Sequence, residues 1–399
     1  MNARPAILGG PPAFDEPLPI IRPTIAPIDE WEADLRAVLA SGIVTVGPMN
    51  GRLERAVAEY LDVPEVVAVA NCTSGLMLAV QALGLPPNAE VIVPSFTFAA
   101  TVHAVVWNGL RPTFADSRLD TCAIDPESVE EAITGKTGAI MATDIFGVPA
   151  DVAPLARIAE DHGLPLLFDS AQSLGATYRG ARVGGFGVAQ VFSMSPTKVV
   201  TALEGGLIAT RDDSLAARLR RGRDYGKNTD GMDMEFVGLS ARLSEVHALV
   251  GHANFLRIDD LVEARRERIG SYQEHLSKLP GIRYQAIPSD RTTSGNYMVV
   301  FVEADGFGLT RNELYEALAR ENIQTKKYFH PPVHSQTAFR QWHDGRPLPV
   351  AERLAEEGLA LPLWSHLDPA TIDRVVEAIK VLHKHAPDVR TSLTEDGAG

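Results

Sequence analysis

At 399 residues, with 37 basic against 51 acidic side chains and a formal net charge of −14, the chain lacks the basic footprint that nucleic-acid binding demands. An apolar content of 45% and a charged content of 22% are those of a globular protein, and roughly 150 residues per domain predicts two or three domains. The start shows no cationic segment leading into an apolar one and nowhere do about 18 apolar residues run uninterrupted, so neither secretion nor membrane spanning is supported and a cytoplasmic location is expected.

In chain order, residues 1–50 are rich in Pro and Gly, with a helical stretch over 28–40 that stops at Ser41-Gly42, and read as an arm lying on a larger body. From 51 to 210 short apolar runs alternate with helix-like segments. The runs are VVAVA (66–70), VIV (91–93), PTF (112–114), AIMAT (139–143), LPLLFD (164–169), VFS (191–193) and LIAT (207–210). They carry no alternating polar face, which predicts a wound α/β sheet covered on both sides. The intervening SGLMLAVQALG, FAATVHAVVWNG, PESVEEAIT and VAPLARIAEDHG are each long enough to cover a sheet face, and two close on Gly as a C-cap would. Past Arg242 the pattern changes to long amphipathic segments, a strand over 297–302 and a helix over 311–321, which predicts a smaller α+β domain. The boundaries expected are an arm at 1–50, a large cofactor-binding domain at 51–250 and a small C-terminal domain at 251–385. Residues 386–399, nearly devoid of apolar side chains, are expected to be a disordered tail.

Several motifs fail on inspection. Gly135-Lys136-Thr137 resembles the end of a phosphate loop, but Glu130 stands where the other glycine belongs. Gly185-Phe186-Gly187 leads to Gln190 rather than Gly, so a dinucleotide turn is not supported. Cys72 and Cys122 are too few for a disulfide framework and lack zinc spacing, while His383 and His385 sit two apart and face different ways on a helix; no metal is expected.

One constellation survives. Lys198 closes Ser-Met-Ser-Pro-Thr-Lys between two apolar strands. It is either an ordinary loop lysine or an amine able to form a Schiff base with an aldehyde cofactor. Asp169 ends the buried run LPLLFD, where α/β ligand sites lie; it is either a helix N-cap or the partner of a pyridinium nitrogen, as in pyridoxal phosphate. Asn71-Cys72-Thr73-Ser74-Gly75, between a strand and a helix, is either a plain N-cap or a phosphate cradle. Phe98, just after VIVP, either stacks on a planar ring or packs the sheet.

The ordered series NCTSGL, PSFTFAAT, DSAQSLGA, FSMSPTK and EGGLIAT resembles the DegT/DnrJ/EryC1/StrS family of sugar aminotransferases over about residues 15–383. The resemblance implies the aspartate aminotransferase-type fold (fold type I), with a mixed, mostly parallel seven-stranded sheet and pyridoxal 5′-phosphate as cofactor. It implies Lys198 as the Schiff-base lysine, Asp169 at the ring nitrogen, Gln172 near the ring 3-oxygen, Phe98 on the ring face, and Thr73, Ser74 and Ser193 at the phosphate. A lysine rather than a histidine at 198 implies transamination, with L-glutamate as donor. The resemblance also implies a homodimer whose partner subunit completes the site through a G-x-N-x-R segment. Here the segment reads Gly238-Leu239-Ser240-Ala241-Arg242, with Ser240 in place of Asn.

The segment Thr325-Lys326-Lys327-Tyr328-Phe329-His330-Pro331-Pro332-Val333-His334 resembles the Y-F-x-P stretch of members that aminate C4 of a nucleotide-linked sugar. It implies a dTDP-4-keto-6-deoxyhexose as acceptor, with Lys326, Tyr328, His330, His334 and Arg242 as substrate-binding residues. Arg218, Arg220, Arg221 and Arg223 are the densest basic cluster, either a solvated helix face or a diphosphate contact. The alternatives are amination at C3 of a 3-keto-6-deoxyhexose, amination of a cyclitol ketone, and an inert regulatory homologue; a nicotinamide dehydrogenase stands furthest off.

Overall fold

The structure, a computed structural model, describes residues 4–396. All seven apolar runs are strands of one sheet: β1 (Glu65–Val69), β2 (Glu90–Pro94), β3 (Arg111–Ala115), β4 (Thr137–Thr143), β5 (Leu166–Asp169), β6 (Ala189–Ser193) and β7 (Gly206–Thr210), in the order β1-β7-β6-β5-β4-β2-β3. Strand β7 runs antiparallel to both its neighbours and the other pairings are parallel. The mixed, mostly parallel seven-stranded α/β sheet is therefore the one expected. Strands β5, β6 and β7 are buried at every position, so their sequences are largely apolar, with Asp169, Gln190, Ser193 and Thr210 as buried exceptions.

Helices α1 (Glu32–Ser41) and α2 (Pro48–Leu61) precede the sheet, and α3 (Cys72–Ala82), α4 (Ala99–Val106), α5 (Pro126–Ala132) and α6 (Val152–Asp161) alternate with β1 to β5. Both α3 and α4 begin at strand C-termini, so their first turns face the sheet edge where β5 delivers Asp169. Two glycines bring the pieces that close. A Cβ on Gly75 would lie 2.9 Å from Val191 Cγ1, so α3 rests tightly on the sheet, and one on Gly206 would lie 2.6 Å from both the Asn71 carbonyl carbon and the Cys72 nitrogen.

Helix α7 (Asp213–Gly222) follows β7. The long amphipathic stretch that comes next is broken at Leu256-Arg257 into α8 (Glu245–Phe255) and α9 (Ile258–Leu276). A second sheet, β8 (Ile282–Tyr284), β9 (Met298–Val302) and β10 (Gly358–Leu361), is antiparallel throughout. Helices α10 (Arg311–Arg320), α11 (Pro349–Glu357) and α12 (Pro369–Lys384) belong to the same stretch of chain. The first residues reach this region: Phe14 and Leu18 are buried, and Leu18 forms a parallel bridge with Ile323.

The expectation of a disordered tail is corrected by α13 (Ala386–Asp396). Its few apolar residues fall on one face: Val389 is fully buried, Ala386 nearly so, and Leu393 packs on the same cluster as Ile7 and Leu8. Low apolar content misleads here because a short amphipathic helix needs only one such stripe. Residues 397–399 of that tail lie outside the described residues.

The start of α2 is held from α8. Glu245, fully buried, accepts hydrogen bonds from the Gly47 N–H (2.9 Å), Met49 N–H (2.7 Å), Asn50 N–H (3.0 Å) and Asn50 side-chain amide (2.6 Å). Burial pushes its carboxyl up, but these donors outweigh that and hold it below the usual glutamate range. A carboxyl lowered on folding contributes stability that is present above its unfolded pKa and is lost as pH falls through the folded value. We expect Glu245→Gln to lower the unfolding free energy by about 2–4 kcal/mol at neutral pH, as loss of charge-assisted bonds to orphan N–H groups implies. Denaturant midpoints of the two proteins should converge as pH falls below the usual glutamate range; a gap unchanged in acid would contradict this account.

Candidate active site

The C-terminal edge of β5 and β6, the first turns of α3 and α4, and the loop between β6 and β7 enclose a cavity of about 280 Å³. Lys198 and Asp169 both line it, with Thr73, Phe98, Gln172, Ser193, Lys326 and Tyr328. Eight residues singled out from sequence thus converge on one space.

Asp169 is 3% exposed. Its Oδ2 accepts from the Thr101 hydroxyl at 2.6 Å and its Oδ1 from the Ala171 N–H at 3.2 Å. Burial pushes its carboxyl up, and the two donors together with the charge of Lys198 offset this only in part. Among the described residues no cation lies within salt-bridge distance of it. A buried carboxylate left in that state calls for a cationic or N–H partner from the cavity side. Thr101 is itself held by Thr97 (2.8 Å), which reaches Thr143 (3.2 Å), so a file of three buried hydroxyls backs the carboxylate. None of these threonines was singled out from sequence. The spacing of Thr97 and Thr101, four apart at the head of a helix that follows a buried strand, was the available signal.

Asn71 caps α3 by accepting the Ser74 N–H at 2.8 Å, and the Gly75 N–H bonds to the Asn71 carbonyl. The first-turn N–H groups of Cys72 and Thr73 have no helical acceptor by geometry and border the cavity. A cradle of this kind, with the Thr73 and Ser193 hydroxyls beside it, suits a phosphate. Ser74 is a departure: it is absent from the cavity wall, and its hydroxyl donates back to the Asn71 carbonyl at 2.9 Å. Gln172, 5% exposed, uses its Oε1 to accept the Phe146 N–H at 2.8 Å and so keeps its amide NH₂ for other partners. Phe98 borders the cavity and is 57% exposed.

Lys198 sits in a loop anchored by its own N–H to the Ser195 carbonyl (3.0 Å) and by Ala202 N–H to the Met194 carbonyl (2.8 Å). Its Nζ lies 5.4 Å from the centre of the Tyr297 ring. Burial pushes the Tyr297 phenol up, but the Lys198 charge and hydrogen bonds with Thr197, Tyr328 and Lys198 outweigh it and bring the phenol down to about 8. Tyr297 was not foreseen, since an aromatic at the head of a buried strand reads as core.

Other sequence candidates lie apart from this cavity. His334 is 4% exposed and bonds through Nδ1 to the Ser95 hydroxyl at 2.5 Å, packed beside His343 and Phe114 behind the β2 terminus. His330 is exposed and does not line the cavity. Arg242 borders a separate surface cleft near Val46 and Lys227, where it pairs with Asp224 at 2.5 Å. Ser240, exposed, bridges Asp224 on the same loop. The arginine cluster is mostly spent on internal pairs: Arg220 with Glu65, Arg221 with Glu235, Arg223 with Glu54, and Arg218 over the Phe236 ring. Gly185-Phe186-Gly187 is explained without a ligand, because the Gln190 side chain accepts from the Gly184 and Phe186 N–H groups. Lys136 lines a cleft at the other end of the sheet, where β2 and β3 begin.

The chain is similar to known proteins along most of its length. The model of the DegT/DnrJ/EryC1/StrS aminotransferase family matches residues 28–380. DesI, solved in the presence of its TDP-sugar product, is 34% identical, with each chain covered in full and a TM-score of 0.91. DesV of S. venezuelae, solved in complex with a ketimine intermediate, is 32% identical over 91% of this chain and 98% of that one, with a TM-score of 0.81. A DegT/DnrJ/EryC1/StrS aminotransferase of Brucella abortus is 31% identical over 89% and 96%, with a TM-score of 0.83.

Proposed function

The chain belongs to the DegT/DnrJ/EryC1/StrS aminotransferase family, and from that premise we propose that it moves an amino group from L-glutamate to C4 of a dTDP-linked 4-keto-6-deoxyhexose. The observation that carries the transaminase reading is the convergence of Lys198 and Asp169 on one cavity, beside a helix N-terminus and an uncovered aromatic ring. The similarity to DesI, a protein with a TDP-sugar product, supports a nucleotide-linked acceptor. The C4 position rests on the Tyr328-Phe329-His330-Pro331 segment, whose first two residues line the cavity.

The residues present fit pyridoxal phosphate. Asp169 would pair with the ring nitrogen and favour its protonated form, and Phe98 would pack against the ring. Gln172 would reach the 3-oxygen, and Thr73, Ser193 and the first turn of α3 would hold the phosphate. When bound, the cofactor supplies an aldehyde that condenses with amines and a protonated ring that takes up the electron pair of a broken Cα–H bond. Lys198 Nζ takes the proton that leaves the donor Cα, and the same group serves both half-reactions in a ping-pong course. Tyr297, Tyr328 and Phe329 form an aromatic wall beside the proton's path.

A homodimer with shared sites belongs to the same reading, with Ser240 and Arg242 entering the partner's cavity. In its support, Met232 (88%) and Val237 (86%) are exposed on the loop that carries Ser240, which is costly surface for a lone chain. Among the described residues no helix is long and apolar enough to cross a membrane, and we place the enzyme in the cytoplasm. The test is to supply holoenzyme and L-glutamate with a panel of dTDP-4-keto- and 3-keto-6-deoxyhexoses and a cyclitol ketone, then to identify products by NMR. We expect 2-oxoglutarate release with the 4-ketosugar, favoured in kcat/KM by about 10-fold or more. Preference for a 3-ketosugar or cyclitol would replace the acceptor assigned here, and a light-scattering mass of one chain would reject the shared site.

A further inference from the structure

Lysine 198 is anchored by a group that the transamination reading leaves unused. Arg265, on α9, is fully buried, and among the described residues no carboxylate pairs with it. Its guanidinium donates to the Asn296 carbonyl (2.9 Å), to the Lys198 carbonyl (3.2 Å) and to the Ser365 hydroxyl (3.2 Å), which in turn bonds to the Leu261 carbonyl (3.1 Å). One rigid fork therefore ties the backbone of Lys198 to the residue immediately before Tyr297. A buried guanidinium with no carboxylate is costly to keep, and here carbonyl and hydroxyl oxygens meet its donors instead. Beside this fork the Lys198 Nζ lies 5.4 Å from the centre of the Tyr297 ring, with Tyr297 Oη 3.4 Å from the Thr197 hydroxyl and its ring 5.0 Å from that of Tyr328.

We propose that Tyr297 is a catalytic residue, exchanging a proton with the Nζ of Lys198, and that Arg265 positions the pair. The inference rests on the transaminase reading above. In the exchange an N–H bond of the Lys198 ammonium breaks and an O–H bond forms on the Tyr297 phenolate, leaving a neutral amine and a neutral phenol. No other bond changes, and no co-reactant is needed. Net charge is the same on both sides, so the transfer avoids placing an uncompensated charge in a buried site. The neutral amine is the form that can take a proton from a substrate Cα, so the phenol stores the proton that would otherwise block it. The lowering of the phenol to about 8 agrees with a direct pairing. Besides Lys198, the titratable groups facing Tyr297 are Tyr328 and Arg265, while Asp169, Glu204, Cys72 and Lys326 line the same cavity.

The test compares wild-type, Tyr297→Phe and Arg265→Lys proteins, each with and without cofactor. In cofactor-free wild-type protein, tyrosinate difference absorbance should show one phenol titrating near 8. It should be missing in Tyr297→Phe and move up in Lys198→Met. In holoenzyme, Tyr297→Phe should lose about 10²-fold or more in kcat with KM for the ketosugar within about 3-fold, keep its bound-cofactor absorption band, and shift the acid limb of its kcat profile to higher pH. Arg265→Lys should retain most of the activity and Arg265→Met little, each with the phenol titration displaced in proportion. A Tyr297→Phe enzyme with wild-type kcat and pH profile, or a phenol that titrates in the ordinary range, overturns the proposal. A wild-type protein that binds no pyridoxal phosphate instead overturns the reading beneath it.

Discussion

Replacing Lys198 with Ala should abolish transamination, lowering kcat by about 10⁴-fold or more, because one residue supplies both the amine that meets the aldehyde and the base that carries the proton. Two features make this a clean experiment. Lys198 is half-buried in a loop whose anchors are backbone bonds from its own N–H to Ser195 and from Ala202 to Met194, none of which uses the side chain. The phosphate cradle at Asn71–Thr73 and the carboxylate at Asp169 are likewise independent of it. The variant should therefore fold, and pyridoxal phosphate should still enter but not become attached. Borohydride treatment followed by mass spectrometry checks this: wild-type chain should retain a covalent adduct at Lys198 and the variant none. An adduct on another lysine, or residual turnover above about a hundredth of wild type, would move the reaction centre elsewhere.

The sheet was legible because its physics is simple. A strand buried on both faces is largely apolar, so β5, β6 and β7 announce themselves, and the loops after the parallel strands β5 and β6 lie at one edge. Asp169 stood out as a charge where a buried strand ends, whereas Lys198, in the loop after β6, kept two readings until the ordered motifs were taken together. The groups behind them were not legible. Thr97, Thr101 and Thr143 are ordinary residues until β2 and β4 lie side by side, and the pairing of those strands is a property of sheet order rather than of any local pattern. Arg265 and Tyr297 meet Lys198 only through the packing of α9 and β9 against the β6–β7 loop, across separations of 67 and 99 residues or so. His334 shows the opposite error: a histidine in a promising segment is spent on Ser95, because a buried imidazole takes the nearest hydroxyl. The tail erred through composition, which counts apolar residues but not their phase along a helix.

Asp169→Asn should separate the two tasks of the site, binding and electron withdrawal. The amide keeps the shape and can accept from Thr101, whose bond at 2.6 Å backs the side chain, so the cavity should survive. It cannot hold a proton on a ring nitrogen, and a neutral pyridine is a poor electron sink; kcat should fall by about 10²- to 10⁴-fold while cofactor affinity weakens by about 2–3 kcal/mol for the lost charge-assisted bond. Stability without cofactor should move the other way. Because burial raises the carboxyl of Asp169 on folding, its contribution is fully present below the unfolded pKa and is lost as pH rises through the folded value. The cofactor-free wild type is thus destabilised at neutral pH by a buried charge that its hydrogen-bond donors and Lys198 offset only in part, and Asp169→Asn should relieve it. We expect the cofactor-free variant to unfold at an equal or higher denaturant concentration than wild type near pH 7, with the order narrowing in acid. Added pyridoxal phosphate should stabilise wild type more than the variant. Equal stabilisation of both would mean that Asp169 does not face the ring nitrogen, since a carboxylate and an amide differ there by a full charge in a site that excludes water.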